Sequence, residues 1–174
     1  MPKGMIPIFT RNISGVNNIT LQNIPQTFND LKIVMSLRCA SATDSAQGAY
    51  IQFNGIGGTS YSGLSLRNTN NSVSSYRSNG SNAILELDIP NSANETNIFG
   101  FVEVYIPNYT SNLFKQILAN VAKEDNTTTG FTYNILRGNL FRANGPITSM
   151  QIGTNITSPN FANGSTITLY GIAS

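Results

Sequence analysis

Leu31-Lys32-Ile33-Val34-Met35-Ser36-Leu37-Arg38 places apolar residues at 31, 33, 35 and 37 and polar ones at 32, 36 and 38. A period of two is that of a β-strand with one face in a core and the other toward water. Shorter runs of the same kind recur at 16–21, 49–53, 83–89, 98–106, 131–141, 147–152 and 166–172. Between them lie Asn54-Gly55-Ile56-Gly57-Gly58, Ser78-Asn79-Gly80-Ser81-Asn82, Pro90-Asn91-Ser92, Asn144-Gly145-Pro146 and Asn163-Gly164-Ser165. Asn and Gly tolerate positive φ and suit tight reversals. About eight or nine strands at this spacing, with no βαβ rhythm, predict an all-β fold: a jelly-roll-like antiparallel β-sandwich.

Three segments stand apart from the alternation. Leu113 to Lys123 sets residues 113, 114, 117, 118 and 121 on one helical face and contains good helix formers, which predicts a short helix near 113–122. The Asn- and Ser-rich stretch Arg67 to Asn82 reads as an exposed loop. Residues 1–12 read as an N-terminal arm ahead of a single domain over 13–174, because Ile6, Ile8 and Phe9 have no evident sandwich partner. Such an arm can dock by adding to a neighbour's sheet edge.

Composition narrows the chemistry. The 174 residues carry a net charge of +2, only 10% charged residues, no His, no Trp and a single Cys. Asn, Ser and Thr make up roughly a third of the chain, where an average protein has about 25% charged residues. Without His, nucleophile–His and His–metal chemistries are excluded. Cys39 alone cannot form an internal disulfide and reads as a small buried apolar group. The ten Lys and Arg residues are scattered along the chain, whereas nucleic-acid binding needs a patch that neutralises several phosphates together. The opening residues lack an apolar run of signal-peptide length, and no run approaches the roughly 18 residues of a membrane-spanning helix. The expectation is a chain with no cofactor, no metal, no nucleic-acid partner and no membrane insertion.

The eight carboxylates include Glu86 and Asp88 on one predicted strand and Glu103 on another. Glycoside hydrolysis needs two carboxylates about 5–10 Å apart across a cleft, but the solvated face of a sheet explains the same spacing. Glu124-Asp125-Asn126 lacks the spaced ligands of a calcium loop and reads as a turn. Asn12-Ile13-Ser14, Asn108-Tyr109-Thr110 and Asn155-Ile156-Thr157 match glycosylation acceptors, as chance predicts in so Asn- and Thr-rich a chain. Tyr61 and Tyr76 bracket the predicted loop that holds Arg67 and Arg77. Aromatic faces beside amides serve a sugar site or a protein interface, so these four residues form a candidate contact surface.

Several longer strings are less generic. Ile24-Pro25-Gln26-Thr27-Phe28-Asn29-Asp30-Leu31, Ile51-Gln52-Phe53-Asn54-Gly55 followed by Ser60-Tyr61-Ser62, and Glu103-Val104-Tyr105-Ile106-Pro107-Asn108-Tyr109 occur in order along the chain. With the ending Asn160-Phe161-Ala162-Asn163-Gly164-Ser165-Thr166-Ile167-Thr168-Leu169-Tyr170-Gly171-Ile172, they resemble successive landmarks of a family of small virion proteins of tailed bacteriophages. The resemblance implies a compact β-sandwich, free-standing or at the end of a longer fibre protein, and no enzyme. It also implies a strand, not a helix, over Leu113 to Val121. The chain departs from the family pattern by an insertion around Asn120 to Tyr133.

The resulting expectation is a non-enzymatic virion structural protein, made in the host bacterial cytoplasm and carried on the virion surface as a capsid decoration or accessory subunit. Its partners would be the major capsid or tail proteins and further copies of itself in a symmetric array. The alternative is a tail-fibre or receptor-binding module that meets host glycan through Tyr61, Arg67, Tyr76 and Arg77. A glycan depolymerase using Glu86, Asp88 and Glu103 is the more distant alternative.

Overall fold

The computed structural model describes residues 4–40, 47–69, 72–124, 132–154 and 160–173, and every regular element within them is a strand. In chain order these are β1 (Met5–Ile13), β2 (Asn18–Leu21), β3 (Asp30–Leu37), β4 (Gln47–Phe53), β5 (Tyr61–Thr69), β6 (Ser72–Ser81), β7 (Ile84–Ile89), β8 (Gly100–Ile106), β9 (Lys115–Lys123), β10 (Tyr133–Phe141), β11 (Met150–Thr154) and β12 (Ser165–Ile172). They form two antiparallel sheets, one ordered β1-β12-β3-β8-β9-β10-β5-β6 and the other β2-β11-β4-β7. The fold is an all-β antiparallel sandwich, as the alternation predicts. The deciding stretch is β3, whose Leu31, Ile33, Met35 and Leu37 are buried between the sheets with Ile51 and Phe53 of β4, Leu87 of β7 and Ile152 of β11.

The strand order follows the jelly-roll plan once one hairpin is set aside. Among β2, β3, β4, β5, β6, β7, β8 and β11, the short sheet runs first, eighth, third, sixth, and the long sheet contains second, seventh, fourth, fifth. The hairpin β9–β10 is inserted between the seventh and the fourth, and β12 with β1 extends the opposite end. An insertion of this kind widens one sheet beyond the reach of the other, so part of the long sheet needs its own means of burial.

Each segment that lacked clear alternation also proves to be strand. The helix expected near 113–122 is β9, with 115, 117, 119, 121 and 123 buried and 116, 118 and 122 exposed. Strands β8 and β10 flank it and satisfy its backbone on both sides, which overrides its helix propensity. The described part of the loop expected over Arg67 to Asn82 is the end of β5 together with β6. Of the arm expected over 1–12, residues 5–12 belong to β1, paired with β12 from Met5↔Ile172 to Ile13↔Ser165, so the boundary at 12/13 falls inside a strand, while residues 1–3 lie outside the described residues. Ile8 and Phe9 pack against the core, while Ile6 is half exposed. Glu124 is exposed, whereas Asp125, Asn126 and Asn155-Ile156-Thr157 lie outside the described residues.

Candidate functional site

The sequence-predicted contact residues do not share one surface. Tyr61 is 1% exposed, stacked on Phe141 at 4.9 Å between ring centroids, and its hydroxyl accepts from Phe53 N at 2.8 Å and donates to Ile56 O at 3.1 Å. It is therefore a core residue. Burial pushes its pKa up to about 12. Arg67 is half-buried, with Nη2 3.1 Å from Asp88 Oδ2 and its guanidinium 4.9 Å from the Tyr133 ring centroid. Tyr76 and Arg77 are exposed on β6, but successive strand residues face opposite ways. Tyr76 shares the inward face of Ser65 and Arg67, and Arg77 the outward face of Leu64.

The candidate carboxylates are also separated. Glu103 lies on the outward face of β8, paired with Lys32 at 3.0 Å. Glu86 and Asp88 on β7 face two guanidiniums at the sandwich's flank. Arg137, 1% exposed, binds Glu86 through Nη1, donates from Nε to Asn139 Oδ1 at 2.8 Å, and from Nη2 to Ser78 Oγ at 2.6 Å. Ser65 Oγ also donates to Glu86, at 3.1 Å. Burial raises the Asp88 pKa against the opposing Arg67 charge, and burial lowers that of Arg137 against Glu86. Gly63 is required here, since any Cβ at that position would collide with the Arg137 guanidinium. Two steps along β4, from Ile51 to Ala49, match three along β7, from Ile84 to Leu87, so β7 carries a bulge with Glu86 at φ 60°. This cluster closes the edge of the short sheet. Its carboxylates are held by arginines, an arrangement that serves structure and does not present a free acid–base pair.

Other basic residues are likewise used internally. Lys115 donates from Nζ to the carbonyls of Ser111 at 2.8 Å, Gly145 at 2.9 Å and Leu113, and burial lowers its pKa. Arg38 holds the carbonyls of Glu95 and Ile98 at 2.9 and 2.8 Å. These side chains cannot contribute to a phosphate-tracking stripe. Cys39 is buried. Among the described residues, no three His, Cys, Asp or Glu side chains group as metal ligands, and no helix is long and apolar enough to cross a membrane.

The surface with most binding character is the outward face of the wide part of the long sheet. Six of the twelve large apolar side chains exposed among the described residues lie on it: Leu64, Leu66, Val73, Phe101, Leu118 and Leu136. Their register makes them neighbours. Leu66 faces Leu136 across one strand gap, and the next row reads Arg77, Leu64, Gly138, Leu118, Tyr105, Lys32. Gly138 forms a notch between two leucines. One depression of about 260 Å³ lies on its Leu64 and Arg77 side and another of about 270 Å³ on its Leu118 and Tyr105 side, and both include Gln116.

A glycine inside a strand usually marks a bulge, a bend or a close approach by another molecule. The register through Gly138 is unbroken on both sides, its φ is not positive, and nothing lies within 4 Å of the position a Cβ would take. Neither backbone geometry nor internal packing therefore requires it. Sequence reasoning missed this face because the helix expected near 113–122 sets Leu118 on an apolar helical face together with Ile117 and Val121. The available signal was the departure of Leu-Arg-Gly-Asn-Leu, 136–140, from simple alternation. No protein-family model matches the chain, and neither does any curated protein.

Proposed function

We propose that this protein is a non-enzymatic structural subunit of a tailed-bacteriophage particle, carried on the capsid exterior and docked on a neighbouring virion protein through the outward face of its long sheet. The phage assignment rests on the ordered sequence landmarks. The docking assignment rests on the Gly138 notch, an open depression floored by backbone and walled by Leu64 and Leu118 at a site where the fold has no use for glycine. An apolar knob of the partner would enter it, with Gln116, Asn79 and Arg77 forming a polar rim. The contact surface thus moves from the N-terminal residues to the inserted hairpin.

Quantitative mass spectrometry of intact particles from the encoding genome, with antibody labelling, tests this reading. The expected result is a copy number set by capsid symmetry and label over the head. Its absence from particles overturns the proposal, while a few copies confined to the tail replace decoration with a fibre role. Gly138→Val separates docking from folding. A β-branched residue fits this strand position and should leave stability unchanged or raise it by up to about 1 kcal/mol, while attachment is lost.

A further inference from the structure

We propose that two copies of this chain pair edge to edge through β6, about a two-fold axis at Tyr76, to give a dimer with a continuous long sheet. A sheet edge presents unpaired N–H and C=O groups, and folded proteins shield such edges by short strands, proline, bulges, charges or cover. Three of the four edges here are shielded. β1 carries Pro7, Arg11 and a register shift between Pro7 and Phe9; β2 has only four residues; and β7 is covered by the Arg67 and Arg137 cluster. β6 is left open. It has ten residues, seven of them exposed and none buried, contains no proline and one charge, and pairs only with β5 among the described residues. Its pairing with β5 is regular until the shift beside Gly80, at the strand's end.

The occupant follows from symmetry. Two antiparallel strands related by a two-fold perpendicular to the sheet keep their faces aligned, so one residue must lie opposite its own copy. An axis at Arg77 would set like charges directly opposite, which is destabilising. With the axis at Tyr76, Arg77 faces Ser75, Ser74 faces Ser78, and Val73 faces Asn79. The regular window 73–79 is then used completely, and the two Tyr76 rings meet at its centre. Tyr76 is 53% exposed and makes no side-chain hydrogen bond among the described residues, as suits the aromatic centre of an interface. Seven paired residues supply about seven hydrogen bonds, within the range of about 10 ± 5 typical of protein interfaces. The narrow contact places the dimer in the micromolar range. Both outward faces point the same way, so the dimer is bivalent for any surface that face binds. This inference stands independently of the phage assignment.

Sedimentation velocity of the full chain from about 1 µM to about 1 mM should show a reversible monomer–dimer equilibrium. Tyr76→Lys sets like charges opposite one another on the axis and should weaken it by at least about thirtyfold. Mild oxidation of Tyr76→Cys should give a covalent dimer, since directly opposed Cβ atoms stand about 4.5–5.5 Å apart. Ser72→Cys, which would face Gly80, should not cross-link. A wild-type protein monomeric throughout, an association unaffected by Tyr76→Lys, or faster cross-linking at 72 than at 76 overturns the proposal.

Discussion

Glu86 and Glu103 illustrate how environment decides what a carboxylate contributes. The sequence places both on strand faces, where a solvated sheet face accounts for their spacing better than a catalytic pair does. Glu103 pairs with Lys32 while both remain about a quarter exposed, so Lys32→Ala should cost under about 1 kcal/mol. Arg137 is enclosed and depends on Glu86 for its counter-charge, so Glu86→Gln should cost about 3 kcal/mol. Urea denaturation of the two variants checks this ordering, and equal losses would show that the Arg137 cluster is not a buried ion pair in solution. Tyr61 gives the corresponding pH prediction. Its unfolded pKa is 10.0 and its folded value about 12, so the folded state retains this proton longer. The stabilisation is fully present below pH 10 and is lost as pH rises toward 12. Denaturation midpoints should fall across that window, and Tyr61→Phe should remove part of the slope. An unchanged slope in the variant would place the titration at other tyrosines.

Among the strands, legibility tracked the cleanliness of the alternation. β3, β7, β8 and β12 each carry apolar residues on one face and were recognisable. β9 was not, because its inward positions begin and end with Lys115 and Lys123 while Leu118 and Ala122 lie outward. Lys115 is held inward by the carbonyls of nearby Ser111 and Leu113 and of distant Gly145, and Lys123 lies over the Tyr133 ring of the neighbouring strand. β6 was illegible for a different reason: it has no core face, and it is a strand because β5 supplies its partner. β1 was misread as a free arm since its partner β12 lies at the other end of the chain. Deleting Met1 to Phe9 should therefore destabilise the fold by about 2 kcal/mol or more through uncovering of the surface beneath Ile8 and Phe9. Denaturant titration measures the loss, and an unchanged midpoint would restore the free-arm reading.

Across the two sheets, the jelly-roll plan and its inserted hairpin explain where the candidate surfaces lie. Eight strands satisfy the plan, and β9–β10 carries the long sheet past the short one. On the inward side, that overhang is closed by Arg67, Arg137, Glu86 and Asp88. On the outward side it spreads Leu64, Leu118 and Leu136 around Gly138, and at its end it leaves β6 open. Local pattern alone established the all-β class, the two-faced strands, the positions of several turns and the exclusion of His-based chemistry, because these depend on side-chain type and a period of two along the chain. Strand order, the burial of Tyr61 and Arg137, the separation of Glu86 from Glu103, the Gly138 notch and the unshielded edge belong to the assembled fold. Each depends on which distant strands become neighbours, and the free energy of that choice comes from pairing and packing across the sheets, which no single stretch of sequence contains.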